Sequence, residues 1–121
     1  MVKKNRKTNP ILESLIHDLK KQSREKNVDI WRDIAKRLEK PSRNWSEVNL
    51  DKIDDFLKEN ETALIPGKVL SGGKISGKHD IAAWDFSEKA KKKIKEADGK
   101  YMTIQEVMKN NPEGKNIRIL G

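Results

Sequence analysis

Residues 63–86 read ALIPGKVLSGGKISGKHDIAAWDF, and the rest of the chain is arranged around this stretch. It opens with a short apolar run, Ala63-Leu64-Ile65, is cut by Pro66-Gly67, and resumes at Lys68-Val69-Leu70. A loop carrying Gly72, Gly73 and Gly77 and the basic side chains Lys68, Lys74, Lys78 and His79 comes next. A third run, Ile81 to Phe86, closes the stretch. Apolar runs this short, bounded by glycine and proline, predict buried strands rather than helix. The centre of the chain is therefore expected to be a small irregular sheet holding out a basic, glycine-rich loop.

Upstream, Glu59-Asn60-Glu61 reads as the polar turn into the central run, preceded by a helical turn at Ile53, Phe56 and Leu57 and a short strand at 47–50. Lys40-Pro41-Ser42-Arg43-Asn44-Trp45 breaks the helical pattern before them. Trp45 beside Arg43 suits either a nucleotide-stacking pair or a hydrophobic plug under the loop. Before the break, Asp29 is expected to cap a helix from Ile30 to about Glu39, with Ile30, Trp31, Ile34, Ala35 and Leu38 inward and Arg32 and Lys36 outward. The place of Trp31 in the apolar stripe favours core packing over base stacking. Asn9-Pro10 opens an earlier helix whose Ile11, Leu12, Leu15, Ile16 and Leu19 span a face of about 140°. Lys20, Lys21 and Arg24 lie off that face near its C-terminal end, where they complement the helix dipole. His17 falls on the polar face. The two helices, joined by Lys26-Asn27-Val28, can pack as a hairpin with two rows of cations outward. Residues 1–8, with Lys3, Lys4, Arg6 and Lys7, cannot bury enough surface to order alone and read as a nucleic-acid arm or a solvated terminus.

Downstream, Ser87 caps a helix to about Ala97, with Ala90, Ile94 and Ala97 inward, Lys91, Lys92, Lys93 and Lys95 outward, and Gly99 as the expected stop. Thr103 and Glu106 form a capping box, and Met102 and Val107 a hydrophobic staple, for a short helix ended by Asn110-Asn111-Pro112. Residues 117–120 read as a last strand. The expectation is an α/β fold: one small domain over 9–121, helical over 9–43 and mixed strand and helix over 44–121, with a basic tail at 1–8 and a basic two-helix extension.

Composition bounds the partners. A chain of 121 residues fits one domain, and 34% hydrophobic against 38% charged residues leaves a modest core under a charged surface. The net charge of +8 points to a polyanion. Residues 1–43 hold 13 Lys/Arg against 6 Asp/Glu, whereas residues 44–121 hold 14 against 13, so the first third carries nearly all the excess. The absence of cysteine removes disulfides and thiolate metal sites, and with two histidines no metal-ligand spacing appears. No apolar run approaches the ~20 residues of a membrane span, and the basic N-terminus is followed by no apolar segment of a secretory signal, so a soluble intracellular chain without a membrane partner is expected.

The sharpest enzymatic pattern is Gly72-Gly73-Lys74-Ile75-Ser76-Gly77-Lys78-His79, which matches the glycine, four residues, glycine, lysine part of a phosphate-binding loop. His79 stands where a magnesium-binding Ser or Thr belongs, and the following residues read as strand where the loop needs a helix N-terminus. The same loop suits RNA, because glycines admit the main chain close to phosphate and lysines supply salt-dependent attraction. No nucleophile–base pair or tuned carboxylate pair is present. An enzyme, a cofactor and a small-molecule substrate are therefore not expected. What remains from the residues alone is a small basic RNA- or DNA-binding domain, with RNA ahead because no DNA-reading motif stands out.

A set of ordered strings is more specific: KTNPILESLIHDLKK at 7–21, IWRDIAKRLEKPSR at 30–43, EVNLDKID at 47–54, ALIPGKVLSGG at 63–73, DIAAWDFSEKAKKKIKEADGK at 80–100 and MTIQEVMKNNPEGKNIRILG at 102–121. In order and spacing they resemble the large-subunit ribosomal protein family "L eighteen e", of the same superfamily as bacterial "L fifteen". The short length looks archaeal, since eukaryotic members carry extra terminal segments. The resemblance implies a cytoplasmic structural constituent of the large ribosomal subunit that binds large-subunit ribosomal RNA beside neighbouring ribosomal proteins. It also implies a fold of irregular strand-strand-helix units. Together with the basic surface, it makes Lys3, Lys4, Arg6, Lys7, Lys20, Lys21, Arg24, Arg32, Lys36, Arg37, Lys40, Arg43, Lys68, Gly72, Gly73, Lys74, Lys78 and His79 the candidate RNA contacts. A departure is Asn44-Trp45, where relatives are expected to be richer in arginine. A free-standing small basic RNA- or DNA-binding regulator is the alternative.

Overall fold

Strand β2 (Thr62–Leu70) is the axis of the protein, in a computed structural model that describes residues 9–121. Its residues Ala63 to Gly67 are all buried, and such a strand is stable only with a layer packed on each face. Ala63, Ile65 and Val69 face one cluster with Leu50 and Ile53 of α3 (Leu50–Phe56) and Ala90 and Ile94 of α4 (Glu88–Glu96). Leu64 faces the other, made by Leu15 and Leu19 of α1 (Pro10–Lys26), Trp31, Ile34, Ala35 and Leu38 of α2 (Asp29–Leu38), and Ile104, Val107 and Met108 of α5 (Ile104–Asn110). The α1–α2 pair is thus one of the two covering layers rather than an extension. Gln22 and Trp31 lock it down by donating to the Pro112 carbonyl, at 3.3 and 2.7 Å.

Every ladder in the five-stranded sheet is parallel. Along one edge of β2 runs β3 (Asp80–Phe86), followed by β4 (Lys100–Thr103). The other edge is shared end to end: β5 (Ile117–Ile119) pairs with Thr62–Leu64, and β1 (Ser46–Asn49) pairs with Gly67–Leu70. Arg118 of β5 grips Glu61 at the mouth of β2 with two hydrogen bonds of 3.0 and 3.2 Å. Those bonds hold the Glu61 carboxyl below its ordinary range and raise the guanidinium.

The shared edge explains why Pro66-Gly67 does not cut the strand, contrary to the sequence expectation. Pro66 lies where β5 has ended and β1 has not begun, so its missing N–H costs that edge no ladder bond, and the β2–β3 register shifts between Ile65 and Lys68. Gly67 is required for a different reason: a Cβ there would overlap the Ser46 carbonyl of β1.

Other local expectations change in detail. Asp29 is in the first turn of α2, whose cap position is Val28 with no side-chain bond. Leu50 opens α3 rather than ending the preceding strand, and the helical turn expected at Ile53 and Phe56 is part of that helix. After α4 it is Asp98, not Gly99, that takes the left-handed conformation (φ 62°). Gly99 is instead pressed against the His79 carbonyl, which a Cβ would approach to 2.6 Å. Strand β4 was not anticipated, because Met102 and Thr103 read as the entry to α5. The capping box itself is present, Thr103 N donating to Glu106 at 2.7 Å and Glu106 N to Thr103 at 3.1 Å.

Gly67→Ala should therefore destabilise the protein by about 1–3 kcal/mol through overpacking of backbone against backbone. Thermal unfolding checks this, and an unchanged melting temperature would contradict the close approach of β1 to β2.

Candidate nucleic-acid interface

Helices α1 and α2 meet core-side through their apolar stripes, so their remaining faces form the two walls of an open groove of about 540 Å³. Lys20 and Arg24 stand on one wall and Arg32 and Lys36 on the other, against the carboxylates Asp29 and Glu39. The α1 N-terminus is fixed by Asn9, whose side chain accepts from Ile11 N and Leu12 N at 3.0 and 3.2 Å. The turn between the helices is fixed by Asn27 in the left-handed conformation and by Ser23, which donates to the Val28 carbonyl at 2.7 Å. Lys20 reaches across to Glu39 at 2.6 Å, an exposed pair of the kind worth at most about 1 kcal/mol. Four of the cations singled out in the sequence are thereby brought together. The others are not in this groove. Lys21 is on the opposite flank of α1, beside Gln105 and Lys109. Arg37 is half-buried and bonds Asp33 at 3.2 Å. Lys40 is exposed past the end of α2. Arg43 and Lys68 border a separate pocket with Trp45 and Trp84. Lys3, Lys4, Arg6 and Lys7 lie outside the described residues.

The glycine loop is built differently from a phosphate cradle. Its main chain is already engaged: Gly72 N donates to the Asn49 side chain at 3.0 Å and Asp51 N donates to the Gly72 carbonyl at 3.1 Å. A Cβ on Gly72 or on Gly73 (φ 77°) would collide with Asn49 or Asp51. These glycines are explained by close approach to the start of α3. Lys93, expected to point outward from α4, folds back instead and donates to the carbonyls of Ser71 and Gly73 at 2.8 and 3.1 Å. Strand β3 follows the loop directly, so no helix N-terminus faces it. Lys74 and Lys78 are exposed.

Asp54 of α3 pins the far side of the loop. Its carboxylate accepts from Ser76 Oγ at 2.7 Å, from Gly77 N at 3.1 Å and from His79 Nε2 at 2.8 Å, with both side chains of the Asp54–His79 pair less than one-fifth exposed. His79 is thus turned to its own chain. Burial alone would raise the Asp54 carboxyl, but the bonds from His79, Ser76 and Gly77 outweigh it and bring the carboxyl from 3.8 to about 2. Trp45, left open between stacking and plugging, is half-buried. Its Nε1 donates to the Lys40 carbonyl at 2.9 Å and its ring meets Trp84 edge-on at 5.7 Å, as a plug does. Trp31 is fully buried. Among the described residues no group of acidic or histidine side chains is placed to hold a metal ion, and no helix is long and apolar enough to cross a membrane.

The depressed Asp54 value fixes the sign of a pH effect. A folded-state carboxyl held below its unfolded value contributes its full stability above about 3.8 and loses it as pH falls through about 2. Urea unfolding should find Asp54→Asn less stable than the native chain by on the order of 2 kcal/mol near neutral pH, with the gap closing as the pH approaches about 2. A gap that does not change with pH would contradict the pinning of the loop by an ionised Asp54.

Against known proteins, residues 1–121 match the model of one family, described as ribosomal protein 60S L18 and 50S L18e. The chain is 51% identical over 114 residues to the large ribosomal subunit protein eL18 of Methanoregula boonei, covering 94% of each. It is 46% identical to that of Methanospirillum hungatei and 43% to that of Methanothermobacter thermautotrophicus, with 99% of each chain covered in both comparisons. The match spans the α1–α2 layer, the sheet and the C-terminal strand alike, and on it the chain belongs to the L18/L18e family of large-subunit ribosomal proteins.

Proposed function

We infer that this chain is a structural constituent of the large ribosomal subunit, acting in the cytoplasm as part of the ribosome and not as an enzyme. Its work is to bind and stabilise large-subunit ribosomal RNA, with neighbouring ribosomal proteins at its other surfaces. The observation that carries the RNA contact is the α1–α2 groove, where Lys20, Arg24, Arg32 and Lys36 project from two rigid walls. A sugar-phosphate backbone lying in it meets cations from both sides. Binding is favoured by release of the counterions that each neutralised phosphate had condensed. Because the walls are fixed by core packing of Leu15, Leu19, Trp31, Ile34 and Leu38, little side-chain order is lost beyond the cationic tips.

Lys21, Arg37, Lys40, Arg43, Lys68, Lys74 and Lys78 extend the attraction over neighbouring surfaces, and the arm with Lys3, Lys4, Arg6 and Lys7 adds four charges in sequence just before the groove. Gly72, Gly73 and His79 contribute by holding the loop that presents Lys74 and Lys78. Such contacts position folded RNA without reading its sequence.

Replacing Lys20, Arg24, Arg32 and Lys36 together by Gln keeps good helix formers at all four positions while removing the charges. Filter binding to transcribed archaeal large-subunit ribosomal RNA over a range of salt should show the slope of log affinity against log salt fall by about 3, with helicity unchanged. An unaltered slope would place the RNA elsewhere.

A further inference from the structure

The lysines of α4 are not equivalent, and their arrangement defines a second cationic site. Strand β4 leaves β3 after the pair Ala83–Thr103 and turns into α5, while β3 runs on to Phe86. Where the sheet narrows, a groove of about 660 Å³ opens across its edge, within the range of small-ligand pockets, ~300–1,000 Å³. Tyr101, half-buried and packed on Phe86 at 5.4 Å between centroids, forms one side, with Lys91 and Lys95 of α4 at 6.0 and 5.6 Å from its ring. Trp84, also half-buried, forms the other side, and Lys100 and Asn110 complete the rim. Of the acidic groups, Glu106 is engaged in the capping box of α5 and Asp85 by the Phe86 N–H at 2.9 Å and by Lys68 at 4.0 Å, while Glu88 pairs with Lys91 at 3.2 Å through an exposed carboxylate, a contact of the weak surface kind.

We propose that this groove binds one or two unpaired nucleotides of RNA, a base lying against Tyr101 or Trp84 and the adjoining phosphate held by Lys91, Lys95 and Lys100. Aromatic side chains exposed within a cationic cleft accept any base face, and a duplex keeps its bases stacked on one another and unable to reach them. By contrast, the α1–α2 groove carries cations with no aromatic side chain on its walls, and so suits a continuous phosphate backbone. The proposal rests on the RNA-binding reading above and adds a second, chemically different contact to it.

The test is the affinity of the full chain for transcribed archaeal large-subunit ribosomal RNA, for the native protein, for Tyr101→Leu and for Lys91→Gln with Lys95→Gln. Ultraviolet crosslinking of the native complex identifies the peptides in contact. Loss of one stacked base should weaken Tyr101→Leu by about tenfold with no change in salt slope. The double lysine variant should lower the slope by about 1.5. A crosslinked nucleotide on the peptide containing Trp84 or Tyr101 supports the groove even if Tyr101→Leu folds poorly. Native-like affinity and slope in both variants, with crosslinks confined to α1 and α2, would overturn the groove while leaving the RNA-binding reading intact. Failure of the native chain to bind the RNA at all would overturn both.

Discussion

The rest of the structure depends on the two-sided burial of β2. A strand whose consecutive residues are all apolar has no face to give to water, so it requires a helical layer above and below and a paired strand on each edge. The sheet meets that requirement with little chain. Two short strands, β5 and β1, share one edge end to end, and β3 serves the whole of the other. The junction on the shared edge tolerates a proline and needs a glycine, so Pro66-Gly67 belongs to the pairing rather than interrupting it.

That architecture sorts the cations. Helices that must cover a sheet turn an apolar stripe inward and leave charged side chains on the opposite face. In α1 and α2 this converts a packing requirement into a basic groove whose walls cannot easily move. Not every lysine is left for a partner. Lys93 bonds the glycine loop and Arg118 holds Glu61. The total of 27 Lys and Arg therefore overstates the number of free cations but not the bias of the surface, because these engaged groups are set among many exposed ones.

Much of this was legible in the residues. The three apolar runs of 63–86 gave the buried strands, Asn9-Pro10 the start of α1, Ser87 the cap of α4, and Thr103 with Glu106 the capping box of α5, since each signal is local. Strand β4 was not legible: four residues with two half-buried side chains carry too little alternation to stand out from the helix entry that follows. The roles of Gly72, Gly73 and His79 also escaped, because the groups they meet, Asn49, Asp51 and Asp54, are some twenty residues away in sequence. Lys91 and Lys95, four apart and so on one side of a helix, could have been separated from Lys93. What they converge on, Tyr101, becomes visible only once β4 is placed beside β3.

Sedimentation of a cell lysate through a sucrose gradient, with the chain followed by mass spectrometry, tests the central claim most directly. A structural constituent of the large subunit co-migrates with it in stoichiometric amount and remains there through a moderate salt wash, because many phosphate contacts act together. Recovery of most of the chain in the light fractions would contradict the account and leave a small basic RNA-binding protein that works apart from the ribosome.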